Sequence, residues 1–330
     1  MPPVPHTARI PQKALGWLSL LAFALLPVNA KAGRPQEAAE AGPVLAKIYA
    51  FDLDGAIRDA RLLQQSRPED PLGFLLEAEA LGWKRWCQAA DFRYGFTDAR
   101  VRSKPSSDKQ YLELAAKVTD LAESRLKRED SAQMQFYAGM GDALAARLYG
   151  LRGENRNVAR AGVRARTHFL RALELDPAFA DANFGLGLYN YYVDTLSAVA
   201  KILRFFMGIP GGSKEDGIRQ LEAAIARGEV TRQEASFYLA LNLVKYDRQY
   251  ERALQVIDPL AAAYPQNPFF LLLRGDCNAK LGRNIDAAAS YRAAAALSVA
   301  DSDCAAQVRK LAAASLASLQ TTPEPSDRHN

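Results

Sequence analysis

The apolar positions of this chain recur mostly at helical spacing. From Asp108, DKQYLELAAKVTDLAESRLKRE places Tyr111, Leu112, Ala115, Val118, Leu121 and Leu126 on one stripe, the mark of an amphipathic helix. SAQMQFYAGMGDALAARLYG, from Ser131, predicts another helix, with Gly139 and Gly141 where close packing is wanted. FRYGFTDARVRSKPSS, 92–107, has Pro, Ser and Gly and no clear period, so it reads as a loop between paired helices. LRGENRNVARAG, 151–162, reads as a second extended connection. The polar, Pro-containing end, 319–330, has no means of forming a core and reads as a disordered tail.

A repeat underlies the pattern. EASFYLALNLVKYDRQYERALQVIDPLAAAYPQN and PFFLLLRGDCNAKLGRNIDAAASYRAAAALSVAD, 234–267 and 268–301, are each 34 residues long. Ala253 aligns with Ala287, Ile257 with Tyr291, Leu260 with Ala294, and Leu241 with Gly275. The same order recurs upstream as Ala165, Phe169, Ala172 and Pro177, and again as Ala56, Ala60, Leu63 and Pro68. Small residues let two helices approach, larger ones fill the space beside them, and proline stops the second helix.

With ALELDPAFADA at 172–182, this grammar resembles the tetratricopeptide repeat, whose unit is a pair of antiparallel helices. The chain is similar to exported bacterial proteins of that family. The resemblance is strongest from about Arg164 to Leu297. It implies an all-α right-handed superhelix, irregular over 33–160 and regular over 161–318.

One repeat is interrupted. After ADANFGLGLYNYY the partner helix begins only near Lys214, with Gly217, Leu221 and Ala224 at the expected positions. The intervening 194–213 is mostly apolar, with Leu203, Phe205 and Phe206 near its centre and Pro210-Gly211-Gly212 at its end. Three readings stand: extra core, a flap over a ligand groove, or a segment lying in a membrane interface with Lys201 and Arg204 at the headgroups. Ser213 reads as the cap of the following helix.

In this family the first-helix side chains line the concave face. Carried over by register, the resemblance assigns that face Phe184, Leu188, Tyr191 and Tyr192, then Tyr238, Asn242, Lys245 and Tyr246, then Phe269, Leu272, Asp276 and Lys280. Each has the alternative of packing between helices. Tyrosine pairs large contact area with a hydroxyl, which suits recognition. The family's carboxylate clamp needs Lys and Asn four apart; here Tyr238 stands four before Asn242, so that version is not implied.

The start changes the picture of location. MPPVPHTARIPQK carries Arg9 and Lys13 without an acid, Ala14 to Leu26 is apolar, and small residues follow through Ala32. These are the parts of a secretory signal peptide over 1–32; the alternative is an uncleaved anchor. The apolar run is shorter than the roughly 20 residues of a spanning helix. The chain has 42 basic and 37 acidic residues, and losing Arg9, Lys13 and Lys31 leaves 39 and 37. So small an excess argues against a nucleic-acid partner. The expected place is the periplasm, with the outer membrane and peripheral membrane contact as variants, and no transmembrane span in the mature chain.

Cys87, Cys277 and Cys304 are an odd set; Cys277 with Cys304 is one pairing, buried thiols the other reading. His168 stands alone between leader and tail, and no metal-ligand spacing is visible. A buried pair such as Asp181 with Lys245 would be the exception to watch for. The expectation is therefore a non-catalytic scaffold without cofactor or metal, holding a peptide or protein. The alternative is a small-molecule or lipid carrier roofed by 194–213.

Overall fold

A computed structural model describes residues 33–87, 107–197, 200, 201, 204, 205 and 208–321. The expected leader, the 92–107 loop up to residue 106 and the tail beyond 321 lie outside the described residues, as do Leu203 and Phe206. Among the described residues the fold is all-helical. The helices are α1 Gly33–Tyr49, α2 Leu53–Ser66, α3 Pro71–Cys87, α4 Ser107–Leu126, α5 Ala132–Arg152, α6 Asn155–Leu175 and α7 Ala182–Thr195. Then follow α8 Lys214–Arg227, α9 Arg232–Asn242, α10 Tyr250–Ala263, α11 Pro268–Lys280, α12 Asn284–Ala295 and α13 Ser302–Thr321. A π-helical turn, Leu243–Asp247, prolongs α9.

Each helix packs on its neighbours in sequence, and α3, α5, α7, α9 and α11 also pack on one another in series. They form an inner layer. Pattern explains the sorting. α2, α6, α8 and α10 are amphipathic and bury one stripe each, such as Ala161, Ala165, Phe169 and Ala172 of α6. α3 and α9 bury residues on nearly every side, which only an inner helix can do.

The expected connection at 151–162 is a correction. α5 runs to Arg152 and α6 starts at Asn155, so only Gly153 and Glu154 intervene. Gly153 takes φ 69°, the left-handed conformation that ends a helix in one step, and Asn155 starts the next. A Gly- and Asn-rich string had looked like a loop because it holds two helix ends. The helix from Lys214 forms as expected, with Ser213 Oγ accepting from the Asp216 N–H at 3.2 Å. α13 runs on to Thr321, into the stretch expected to be tail.

The last helix returns to the N-terminal part of the fold. α13 packs on α12 and α11 and also on α3. Asn267 Nδ2 donates to the Tyr49 carbonyl at 3.0 Å, 218 positions away. Trp83 of α3 lies 5.2 Å from Phe237 of α9 and 5.1 Å from Phe269 of α11, centre to centre. Trp86 stacks on Tyr238 at 5.7 Å. Rings from three inner helices therefore fill the space they face. Burying each contributes about 2–3 kcal/mol.

The cysteine pairing is also a correction. Cys87, ending α3, is bonded to Cys304 in the first turn of α13, and Cys277 is a buried free thiol. The two helices that carry the bond lie at opposite ends of the chain, so proximity in sequence pointed to the wrong partner.

Candidate functional site

The tyrosines assigned by register come together, at several depths. Phe184 and Tyr238 are enclosed in the aromatic interior, as are Phe269 and Leu272. Tyr191 and Asn242 are buried beneath the surface; Leu188, Tyr192, Lys245, Tyr246 and Asp276 are half-buried; Lys280 is exposed. A partner could touch only the latter two groups, so the enclosed residues serve as support.

Tyr191, Tyr192 and Tyr246 form a three-ring cluster, with centres 5.9 Å apart for Tyr191–Tyr192 and Tyr191–Tyr246, and 6.2 Å for Tyr192–Tyr246. Adjacent positions on α7 bring the first two rings, and the π turn after α9 brings the third. That turn ends on Arg248 at φ 54°, a left-handed conformation in a non-glycine residue. π segments of this kind are common where a helix serves a functional site. The same turn sets Lys245 Nζ 4.9 Å from the Tyr246 ring centre, a cation–π contact.

A polar network holds the cluster. Tyr191 donates its hydroxyl to Asp247 at 2.8 Å, and Lys214 Nζ pairs with the same carboxylate at 2.6 Å. Tyr192 donates to Asn242 Oδ1 at 3.1 Å. Burial pushes both tyrosine hydroxyls above their ordinary range, so they stay protonated donors. Asp194 pairs with Lys201 at 2.8 Å and accepts the Lys214 N–H at 3.0 Å, which holds it below the usual carboxylate range. The exit of the 194–213 segment is tied to α7, since Tyr189 donates to the Pro210 carbonyl at 2.8 Å. Phe205 itself is 77% exposed, so this ring is not extra core.

Asp276 accepts from Tyr291 of α12 at 2.7 Å. The Asp181–Lys245 pair does not form. Asp181 accepts the backbone N–H groups of Val230 and Thr231 at 3.0 and 2.8 Å and the Thr231 hydroxyl at 2.8 Å, and so fixes the turn into α9.

Sequence reasoning missed a buried ionic triad. Arg147 of α5 pairs with Glu79 of α3 at 2.6 Å and with Glu234 of α9 at 2.7 Å, all three side chains less than a tenth exposed. Its guanidinium lies 5.6 Å from the Tyr238 ring centre. Burial raises the Glu234 carboxyl above the ordinary range. Charged residues at positions whose neighbours are apolar were the available signal, since such groups are rarely enclosed unless paired.

An open cleft of about 370 Å³ lies at the seam between the chain's ends. The α1–α2 turn gives Phe51 and Leu53, α3 gives Lys84, and the α12–α13 connection gives Leu297 and Val299. Among the described residues no group of His, Cys, Asp and Glu is placed to hold a metal ion, and no helix is long and apolar enough to cross a membrane. No protein-family model matches the chain, and no curated protein matches it.

Proposed function

We propose that this chain is an exported, tetratricopeptide-repeat-like scaffold that binds a protein or peptide without doing chemistry on it. One observation carries the reading: Tyr192 and Tyr246 form a half-buried aromatic pair beside a cation, braced from beneath by Tyr191, Asn242 and Asp247. Rigid rings with polar tips, held by a buried network, are the usual anchors of recognition. The partner surface is centred on Tyr192, Lys245 and Tyr246, with Leu188 beside it on α7. The Cys87–Cys304 bond supports export, since such bonds persist in oxidising compartments.

Photocrosslinking in intact cells tests this reading, with the probe at Tyr246 and a control at Arg219 on the exposed face of α8. A discrete protein adduct at Tyr246 alone is expected. Equal adducts at both positions, or none at either from a correctly folded chain, would remove the assignment. The second reading is a small-ligand carrier, favoured by the seam cleft, whose volume falls within the usual range for ligand pockets. It predicts a small molecule co-purifying with the chain and lost on substituting the half-buried Val299→Asp.

A further inference from the structure

The Cys87–Cys304 bond joins the end of α3 to the first turn of α13, next to the seam cleft that Lys84 of α3 and the connection into α13 help to line. α13 meets the seam with small and medium side chains: Cys304, Ala305, Val308, Leu311 and Ala312 are its enclosed apolar residues through that stretch. They are smaller side chains than the rings that hold α3 to α9 and α11. The ring contacts that hold α3 to α9 and α11 include none from α13, and among the described residues α13 packs chiefly on α12, so the disulfide is its covalent tie to α3. The bond spans 217 positions, and closing so long a loop is entropically costly for a chain not already linked. The segment that leads into α13, Leu297 to Asp301, is also one wall of the cleft.

We propose that oxidation of Cys87 and Cys304 docks α13 onto α3 and so assembles the seam cleft, which the reduced chain does not hold in place. The timing of this step rests on the export reading above. The reaction is a two-electron exchange with a disulfide oxidant. One cysteine thiolate attacks the oxidant's disulfide, forming a mixed disulfide and releasing one oxidant thiolate. The second cysteine attacks the first, forming the Cys87–Cys304 bond and releasing the other. The oxidant leaves as a dithiol, taking up the two protons that the cysteines lose. Cys277, on α11, does not compete: it is enclosed, and burial pushes its thiol up to about 12, so it stays protonated.

Trypsin reads the docking directly, because Arg309 and Lys310 are exposed on α13 but lie within a helix that must open locally before it is cut. The full chain is compared as purified, after reduction with dithiothreitol, and as the Cys87→Ser/Cys304→Ser variant. Cleavage at these two bonds is expected to be at least about tenfold faster in the last two, with melting lower by about 10 °C and far-ultraviolet dichroism nearly unchanged. The Cys277→Ser variant should match the purified protein. If reduced and oxidised chains are cut at one rate and melt together, the docking role is lost. Should the serine variant not fold, the reduced wild type still decides. Mass-tagging of thiols after the cells are quenched with acid and the chain is denatured separates the two claims. One reactive thiol per chain supports oxidation after export. Three reactive thiols, with docking still dependent on oxidation in vitro, would remove the export reading and leave the docking one.

Discussion

Gly187 of α7 and Gly217 of α8 meet backbone to backbone: a Cβ on Gly217 would lie 2.7 Å from the Tyr191 nitrogen and 2.8 Å from the Gly187 carbonyl oxygen. Neither atom is the end of a flexible side chain that could move aside. The two helices can cross this closely only because both positions lack a side chain.

Gly217→Ala should therefore destabilise the chain by about 2 kcal/mol, although alanine favours a helix over glycine by about 1 kcal/mol. Urea unfolding followed by dichroism measures it. A variant as stable as the wild type would mean that α7 and α8 are farther apart than described.

The Glu79–Arg147–Glu234 triad predicts a strong asymmetry. Arg147→Met leaves two enclosed carboxylates facing each other without their cation, and should cost about 3–5 kcal/mol. Adding Glu79→Leu and Glu234→Leu should restore most of that loss, since an apolar trio has no charge to desolvate. Chemical denaturation of the single and triple variants tests both halves. A triple variant weaker than Arg147→Met would show that the charges stabilise the inner layer on balance.

Glu37 gives the pH dependence. It is enclosed beside Tyr137 and accepts from Gln133 Nε2 at 2.6 Å, and burial pushes its carboxyl from 4.5 up to about 7. The folded chain thus holds a proton that the unfolded chain has released. Its contribution is fully present below the unfolded value and is lost as pH rises through the folded value. The loss between about pH 4.5 and pH 7 is on the order of 3 kcal/mol. Glu37→Gln cannot ionise, so it should gain on the wild type as pH rises across that window. Urea midpoints of both proteins at about pH 5 and about pH 8 decide it, because an unchanged difference would place the titration elsewhere.

The sequence by itself determined the all-helical class and, for α6 and α8, which face is buried. Gly217, Leu221 and Ala224 were legible because a close crossing demands small and apolar residues at fixed helical spacing, and all three are enclosed. Ala165, Phe169 and Ala172 were legible for the same reason. Tertiary structure decided what those helices enclose. Depth is not a local property: Tyr191 and Tyr192 are neighbours on α7, yet one is buried and the other half-buried, because a π turn more than fifty positions away sets Tyr246 against both. By sequence Asp181 is a candidate partner for Lys245, yet the turn into α9 folds four donors onto it, the N–H groups of Glu229, Val230 and Thr231 and the Thr231 hydroxyl. Cys87 had no visible partner until α13 returned to α3. Spacing along a helix fixes direction over a few turns, whereas contacts between helices from opposite ends of the chain depend on the summed geometry of every helix pair between them.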